Sequence, residues 1–202
     1  MSRLVSTTLL AACLSAGPLT AQAPSRWSWS LGLEGLRFGA GAQDTVAESG
    51  SAVALRPSGR IGARLGVHRA LGSWTAGLTI GVAQGNVEAA NEVVAIRDRT
   101  ADLSRYRAGV AVERRLARPR QGHLSFGVEP SLDLWSLDGE TRTRAGLQAG
   151  LTLRLPLGTL ELEQRIIVGV SRSPLEAADL GGAFERRSLR MLGFGVGVRA
   201  PL

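Results

Sequence analysis

The segment Leu124-Ser125-Phe126-Gly127-Val128-Glu129-Pro130-Ser131-Leu132-Asp133-Leu134 decides how the chain is read. Leu124, Phe126, Val128, Leu132 and Leu134 share even positions with Pro130, while Ser125, Gly127, Glu129, Ser131 and Asp133 take the odd ones. A period of two sends alternate side chains to opposite faces of a β-strand. At about 3.3 Å per residue and roughly 40° of tilt, such a segment climbs about 25 Å, the height of the apolar band of a membrane barrel. One face is apolar throughout, and the other mixes charge, hydroxyl groups and glycine.

The same alternation recurs on either side. Ile61, Ala63, Leu65 and Val67 alternate with Arg60, Gly62, Arg64, Gly66 and His68. Trp74 to Val82, Tyr106 to Val112, Leu147 to Leu155, Leu160 to Val170 and Leu192 to Val198 behave alike. Near the start, Trp27, Trp29, Leu31 and Leu33 hold one parity, and Leu36 and Phe38 then take the other. That switch predicts a bulge near Gly35. The expectation is an all-β fold, an eight-stranded antiparallel up-and-down transmembrane β-barrel.

Connections are expected to alternate in length. Long polar segments cover 41–51, 85–101 and 171–186, with a shorter one over 137–143. Tight joins are expected near Ala70-Leu71, Arg118-Pro119-Arg120 and Pro156-Leu157-Gly158. Short turns on one side and longer loops on the other suit a barrel with both termini periplasmic.

The N-terminus has the layout of a secretory signal peptide. Arg3 precedes the largely apolar Leu4–Leu14, and Ala21-Gln22-Ala23 ends in a small-residue cleavage signal. Cleavage is expected after residue 21 or 23, leaving 24–202 as the barrel domain. Leu10-Ala11-Ala12-Cys13 leaves open a lipobox with Cys13 as the lipidated residue. No stretch reaches the roughly 18 apolar residues of a transmembrane helix.

The formal charge is +7, and every one of the 24 basic residues is arginine. These arginines are spread through the strands among glutamates rather than gathered in one helix or tail, so no nucleic-acid partner is expected. A single cysteine excludes an intramolecular disulfide.

The polar face also argues against a soluble barrel with an apolar interior, such as a lipid-binding carrier. Glycines opposite long arginines let a narrow interior close around ion pairs, whereas on a wetted surface they would only weaken the strands. The pattern of strands resembles the small OmpA- and OmpX-like outer-membrane barrels over about residues 26–202. Phe194, Val196, Val198, Ala200 and Leu202 resemble the C-terminal signal of that group, although Leu202 stands where an aromatic is usual. The resemblance implies the bacterial outer membrane, contact with its lipid and lipopolysaccharide, handling by the assembly machinery during biogenesis, and a monomer. Trp27, Trp29, Trp74 and Phe126 are expected near the periplasmic edge.

Ten charges are expected to point into the lumen: Arg60, Arg64, Arg107, Glu113, Glu129, Asp133, Arg154, Glu161, Glu163 and Arg165. A buried charge must pair or meet water. The turn over 156–159 predicts Arg154 opposite Glu161 and Thr152 opposite Glu163. A salt-bridged plug and a narrow ion path both fit this set.

His123-Leu124-Ser125 is similar in outline to the His-x-Ser arrangement of outer-membrane lipid A deacylases, but it is expected to face the lumen near the periplasm. No catalytic residue, cofactor or metal site is expected. A lipid-modifying enzyme and a soluble or lipidated carrier are the alternatives to a structural, adhesive or weakly permeable barrel. The charged stretch Glu88, Glu92, Arg97, Asp98, Arg99 and Asp102 is expected to be solvated loop surface.

Overall fold

Strands that alternate apolar and polar residues leave two unlike faces, and closing them into a ring gives each face its own medium. The computed structural model describes residues 26–39, 42–44, 54–90, 95–119, 122–137, 139–174, 184–186 and 188–202. The expected signal segment 1–23 lies outside them. Eight long strands form the wall: β1 (Trp27–Phe38), β4 (Arg60–Leu71), β5 (Trp74–Ala90), β6 (Ala95–Ala117), β7 (His123–Leu137), β8 (Glu140–Leu157), β9 (Leu160–Ser171) and β11 (Leu189–Pro201). Three short strands, β2 (Ala42–Asp44), β3 (Ala54–Pro57) and β10 (Phe184–Arg186), extend the sheet at one end.

Each wall strand pairs antiparallel with its neighbour in sequence, and β1 pairs with β11 to close the ring. Closure removes the free strand edges. The apolar faces point outward: Ile61, Leu78 and Leu132 are 73%, 68% and 60% exposed. The buried side chains are instead mostly polar, among them Glu129, Asp133, Gln148, Thr79 and His68. This arrangement is the inverse of a soluble carrier barrel, whose apolar face would turn inward.

Two tight hairpins are built on glycine. Gly72 and Gly158 take φ of 68° and 64°, the left-handed region that glycine enters without steric cost. With Gly158-Thr159 as the turn, Leu157 lies opposite Leu160, so Arg154 faces Glu163 and Thr152 faces Arg165. The expected pairing of Arg154 with Glu161 was therefore two residues out of register, because the turn is tighter and sits further along than the reading of Pro156 allowed. Glu161 faces Pro156, at the rim.

Other expectations also change. The parity switch in β1 is not a bulge: Ser28 to Phe38 pair without interruption with Pro201 to Met191. Leu36 and Phe38 turn into the barrel and are buried. The bulges lie elsewhere, between Asn86 and Glu88 of β5 and between Arg115 and Ala117 of β6. The expected loop 85–101 is largely strand, since β5 and β6 pair as far as Ala90 and Ala95. The segment 137–143 is likewise a hairpin, with Leu137 opposite Glu140. One end of the barrel thus holds Trp27 and Pro201, the termini of the described barrel wall, and the turns at 72–73 and 158–159. The other carries the extended β5–β6 hairpin and the short strands.

Candidate functional site: the charged barrel interior

The barrel order β1-β4-β5-β6-β7-β8-β9-β11 puts β1 and β7 on opposite walls. At mid-barrel they face each other with a carboxylate apiece, Glu34 and Glu129, and three arginines from three further strands fill the gap between them. Glu129 is 0% exposed. Its Oε2 lies 3.0 Å from Arg64 Nη2 and 3.2 Å from Arg165 Nη2. Its Oε1 lies 3.4 Å from Arg107 Nε and accepts a 2.8 Å hydrogen bond from Thr79 Oγ1. Glu34 faces the same guanidinium groups, at 3.6 Å from Arg64, 3.4 Å from Arg107 and 3.6 Å from Arg165. Five ionised groups from five strands therefore tie opposite walls together. Voids of only about 10 and 20 Å³ flank this cluster, room for about one water each.

Glycines give the long side chains their space. A Cβ on Gly109 would sit 3.0 Å from Glu129, and one on Gly127 would sit 2.9 Å from Glu113. Small residues therefore stand where charged neighbours cross the barrel.

Toward the end that holds the termini, a second cluster centres on Arg154. Its Nε donates to Glu163 and its Nη2 to Glu113. Arg199 extends it, with Nη1 3.7 Å from Glu163 and Nε donating to Ser28 Oγ at 2.8 Å. His68 is buried beside it and bonds Ser30 Oγ through Nε2 at 2.9 Å.

Toward the opposite end, Arg105 Nη2 donates to both oxygens of Asp133, at 2.9 and 2.8 Å. Its guanidinium lies 5.4 Å from the Trp135 ring and 6.0 Å from Phe38, within cation–π range. Phe38 and Trp135 meet edge to face at 5.9 Å, inside a cluster with Leu36, Leu103, Leu189 and Met191. This apolar layer inside the barrel follows from the inward turn of Leu36 and Phe38.

Of the ten candidate lumen residues, Arg64, Arg107, Glu113, Glu129, Asp133, Arg154, Glu163 and Arg165 are buried and ion-paired. Glu161 is not among them. It stands at the rim, its side chain 40% exposed and 3.9 Å from His123 Nδ1. The backbone of Arg60 lies opposite Leu36, and its side chain is outside the described residues. Three participants were absent from the set. Arg105 and Arg199 have inward parity and could have been named from the alternation. Glu34 was hidden by the apparent parity break one residue later.

His123 directs Nε2 toward Arg154 Nη1 at 3.5 Å and Nδ1 toward Glu161, and Glu129 is engaged by three arginines. Glu129, the acid on the same face of β7 as His123 and Ser125, is thus engaged by arginines rather than by His123. Glu88 is also not loop surface: it is buried and pairs with Arg56 at 2.7 Å. The side chains of Glu92, Arg97, Asp98, Arg99 and Asp102 are outside the described residues. On the outer wall, Arg69 lies 5.5 Å over Trp27 and Arg114 lies 5.6 Å over Trp74. The two pairs mark the end that holds the termini.

No protein-family model and no curated protein sequence matches the chain. Solved structures do. Neisserial surface protein A superposes with a TM-score of 0.61 at 11% identity, covering 90% of this chain and 100% of that one. The outer membrane protein OprG of Pseudomonas aeruginosa superposes with a TM-score of 0.55 at 8% identity, covering 87% and 95%. The fold is that of the small eight-stranded outer-membrane β-barrels. At such low identity it is the architecture that is shared. In barrels of this architecture the apolar wall faces lipid and the narrow interior is polar and filled by side chains.

Proposed function

We propose that the protein is a non-conducting barrel of the bacterial outer membrane, with both termini periplasmic, serving a structural or surface role rather than transport. The reading is carried by the cluster in which Glu34 and Glu129, on opposite walls, share Arg64, Arg107 and Arg165. An ion crossing that level would have to break several buried pairs, and losing one partner of such a pair costs about 3–5 kcal/mol. The apolar layer around Phe38 and Trp135 adds a second constriction. OprG is an outer membrane protein and NspA a surface protein by name, which supports the same placement.

The wall is consistent with a membrane crossing. Ten residues separate Trp27 from Arg37 on β1, which at about 3.3 Å rise and roughly 40° tilt gives about 25 Å between its polar margins. The Trp27–Arg69 and Trp74–Arg114 pairs then sit at the periplasmic interface, where aromatic and basic groups settle.

Planar-bilayer recording tests the closed interior. The expected result is no unitary current from the native chain. Steady single-channel currents that change on Glu129→Gln would overturn the reading in favour of a pore. Envelope fractionation tests the placement: the chain should stay with the outer membrane after a salt wash and shift in gel mobility on boiling. Release by salt with no shift would count against it.

A further inference from the structure

The lipid-facing wall carries a gap that its own packing does not require. Gly35 is exposed on the outer face of β1, between Ile61 of β4 and Phe194 of β11. A Cβ there would meet only the Phe194 carbonyl oxygen, at 3.8 Å. By contrast, a Cβ on Gly62 or Gly197 would press on backbone at 2.6 or 2.5 Å. Those two glycines are needed by the barrel, and Gly35 is not. Its missing side chain deepens a shallow, open depression walled by Ile61, Ile166, Leu192 and Phe194.

Arg37 rims this depression, and two more exposed arginines continue from it across neighbouring strands. Arg37 lies opposite Leu192 of β11, and Arg190, two residues further toward the loop end, has its carbonyl bonded by the Gly39 N–H at 2.8 Å. Arg190 lies opposite Val170 of β9, and Arg172 follows two residues later. With strands about 4.8 Å apart and each arginine two residues (about 6.6 Å) further along its strand, the outer two lie about 16 Å apart at the backbone. Among the described residues, none of the three is in an ion pair. Cations lined up just above an apolar depression, at the margin of a membrane belt, are complementary to an amphiphile with an anionic head.

We propose that this face binds one molecule of lipopolysaccharide, its phosphates on Arg37, Arg190 and Arg172 and an acyl chain in the depression at Gly35. The spread of three cations, with backbones over about 16 Å, suits a headgroup carrying more than one phosphate better than a single phosphodiester. The orientation required, with the loop end outward, rests on the proposed membrane placement.

Native mass spectrometry of the folded chain in detergent, with defined lipids added, tests the site without depending on orientation. The probes are bisphosphorylated lipid A, its monophosphorylated form and phosphatidylglycerol. Bisphosphorylated lipid A should be retained at least tenfold more than phosphatidylglycerol, with the monophosphorylated form between them. Arg37→Gln with Arg190→Gln should remove at least nine-tenths of that retention, and Gly35→Leu should reduce it severalfold while leaving the boiling-dependent gel shift intact. Equal retention of phosphatidylglycerol, or lipid A retention unchanged in either variant, would overturn the proposal. The arginine variant, altered only at exposed positions, keeps the test decisive if Gly35→Leu does not fold. Absence of the gel shift in the native chain would instead overturn the barrel reading, so the two failures are distinct.

Discussion

Removing the charge of Glu129 while keeping its shape is the sharpest test of the closed interior. Glu129→Gln preserves an acceptor for Thr79 but leaves Arg64, Arg107 and Arg165 with Glu34 as the remaining carboxylate of the cluster. At the 3.0–3.4 Å separations found here, each arginine gains about 5 kcal/mol of attraction from Glu129 at an effective dielectric near 20. Much of that offsets the cost of desolvating a carboxylate that is 0% exposed and the mutual repulsion of the arginines. Deleting one partner of a buried pair costs about 3–5 kcal/mol net, and three arginines losing the same partner place this change in the upper half of that range. Urea unfolding from lipid vesicles, followed by tryptophan emission and by gel mobility, measures the loss. Adding Arg165→Gln restores the charge balance and should recover about 1 kcal/mol or more, the scale of coupling between contacting groups. A loss below about 1 kcal/mol for Glu129→Gln would mean that water already solvates these arginines, and that result would refute the closed interior.

Three further predictions use the same unfolding assay. Arg154→Gln leaves Glu113 and Glu163 both without their main partner, and it should cost more than Glu163→Gln, which leaves Arg154 with Glu113; the reverse order would refute the assignment of Arg154 as the hub. Gly66→Ala sets a Cβ 2.5 Å from the His68 ring and should cost about 1–3 kcal/mol through overpacking; His68→Ala in the same chain should relieve most of it. Trp135→Ala empties the centre of the apolar layer and should cost about 3–5 kcal/mol, with conductance still absent because the central ion cluster remains; current in this variant alone would show that the apolar layer, not the ion cluster, is the barrier.

Parity along a strand is a local property, and the sequence carries it. Alternation in Leu124–Leu134 and its counterparts was enough to establish strands, an outward apolar face, an inward charged face and eight crossings. The inward placement of Arg64, Glu129 and Arg165 follows from that parity alone, because each side chain's face is set by its own backbone. Parity could not resolve β1, where Leu36 and Phe38 are apolar yet face inward. An apolar residue inside a barrel and a bulged strand leave the same trace in sequence, and only the unbroken pairing with β11 separates them. Partner choice also lies beyond the sequence. Arg154 meets Glu163 rather than Glu161 because a two-residue turn fixes the register of β9 against β8. Glu34 meets Glu129's arginines because ring closure sets β1 across from β7. Which face a charge occupies is decided within a few residues, whereas which charge it meets is decided by turn length and closure, and these come only with the tertiary structure.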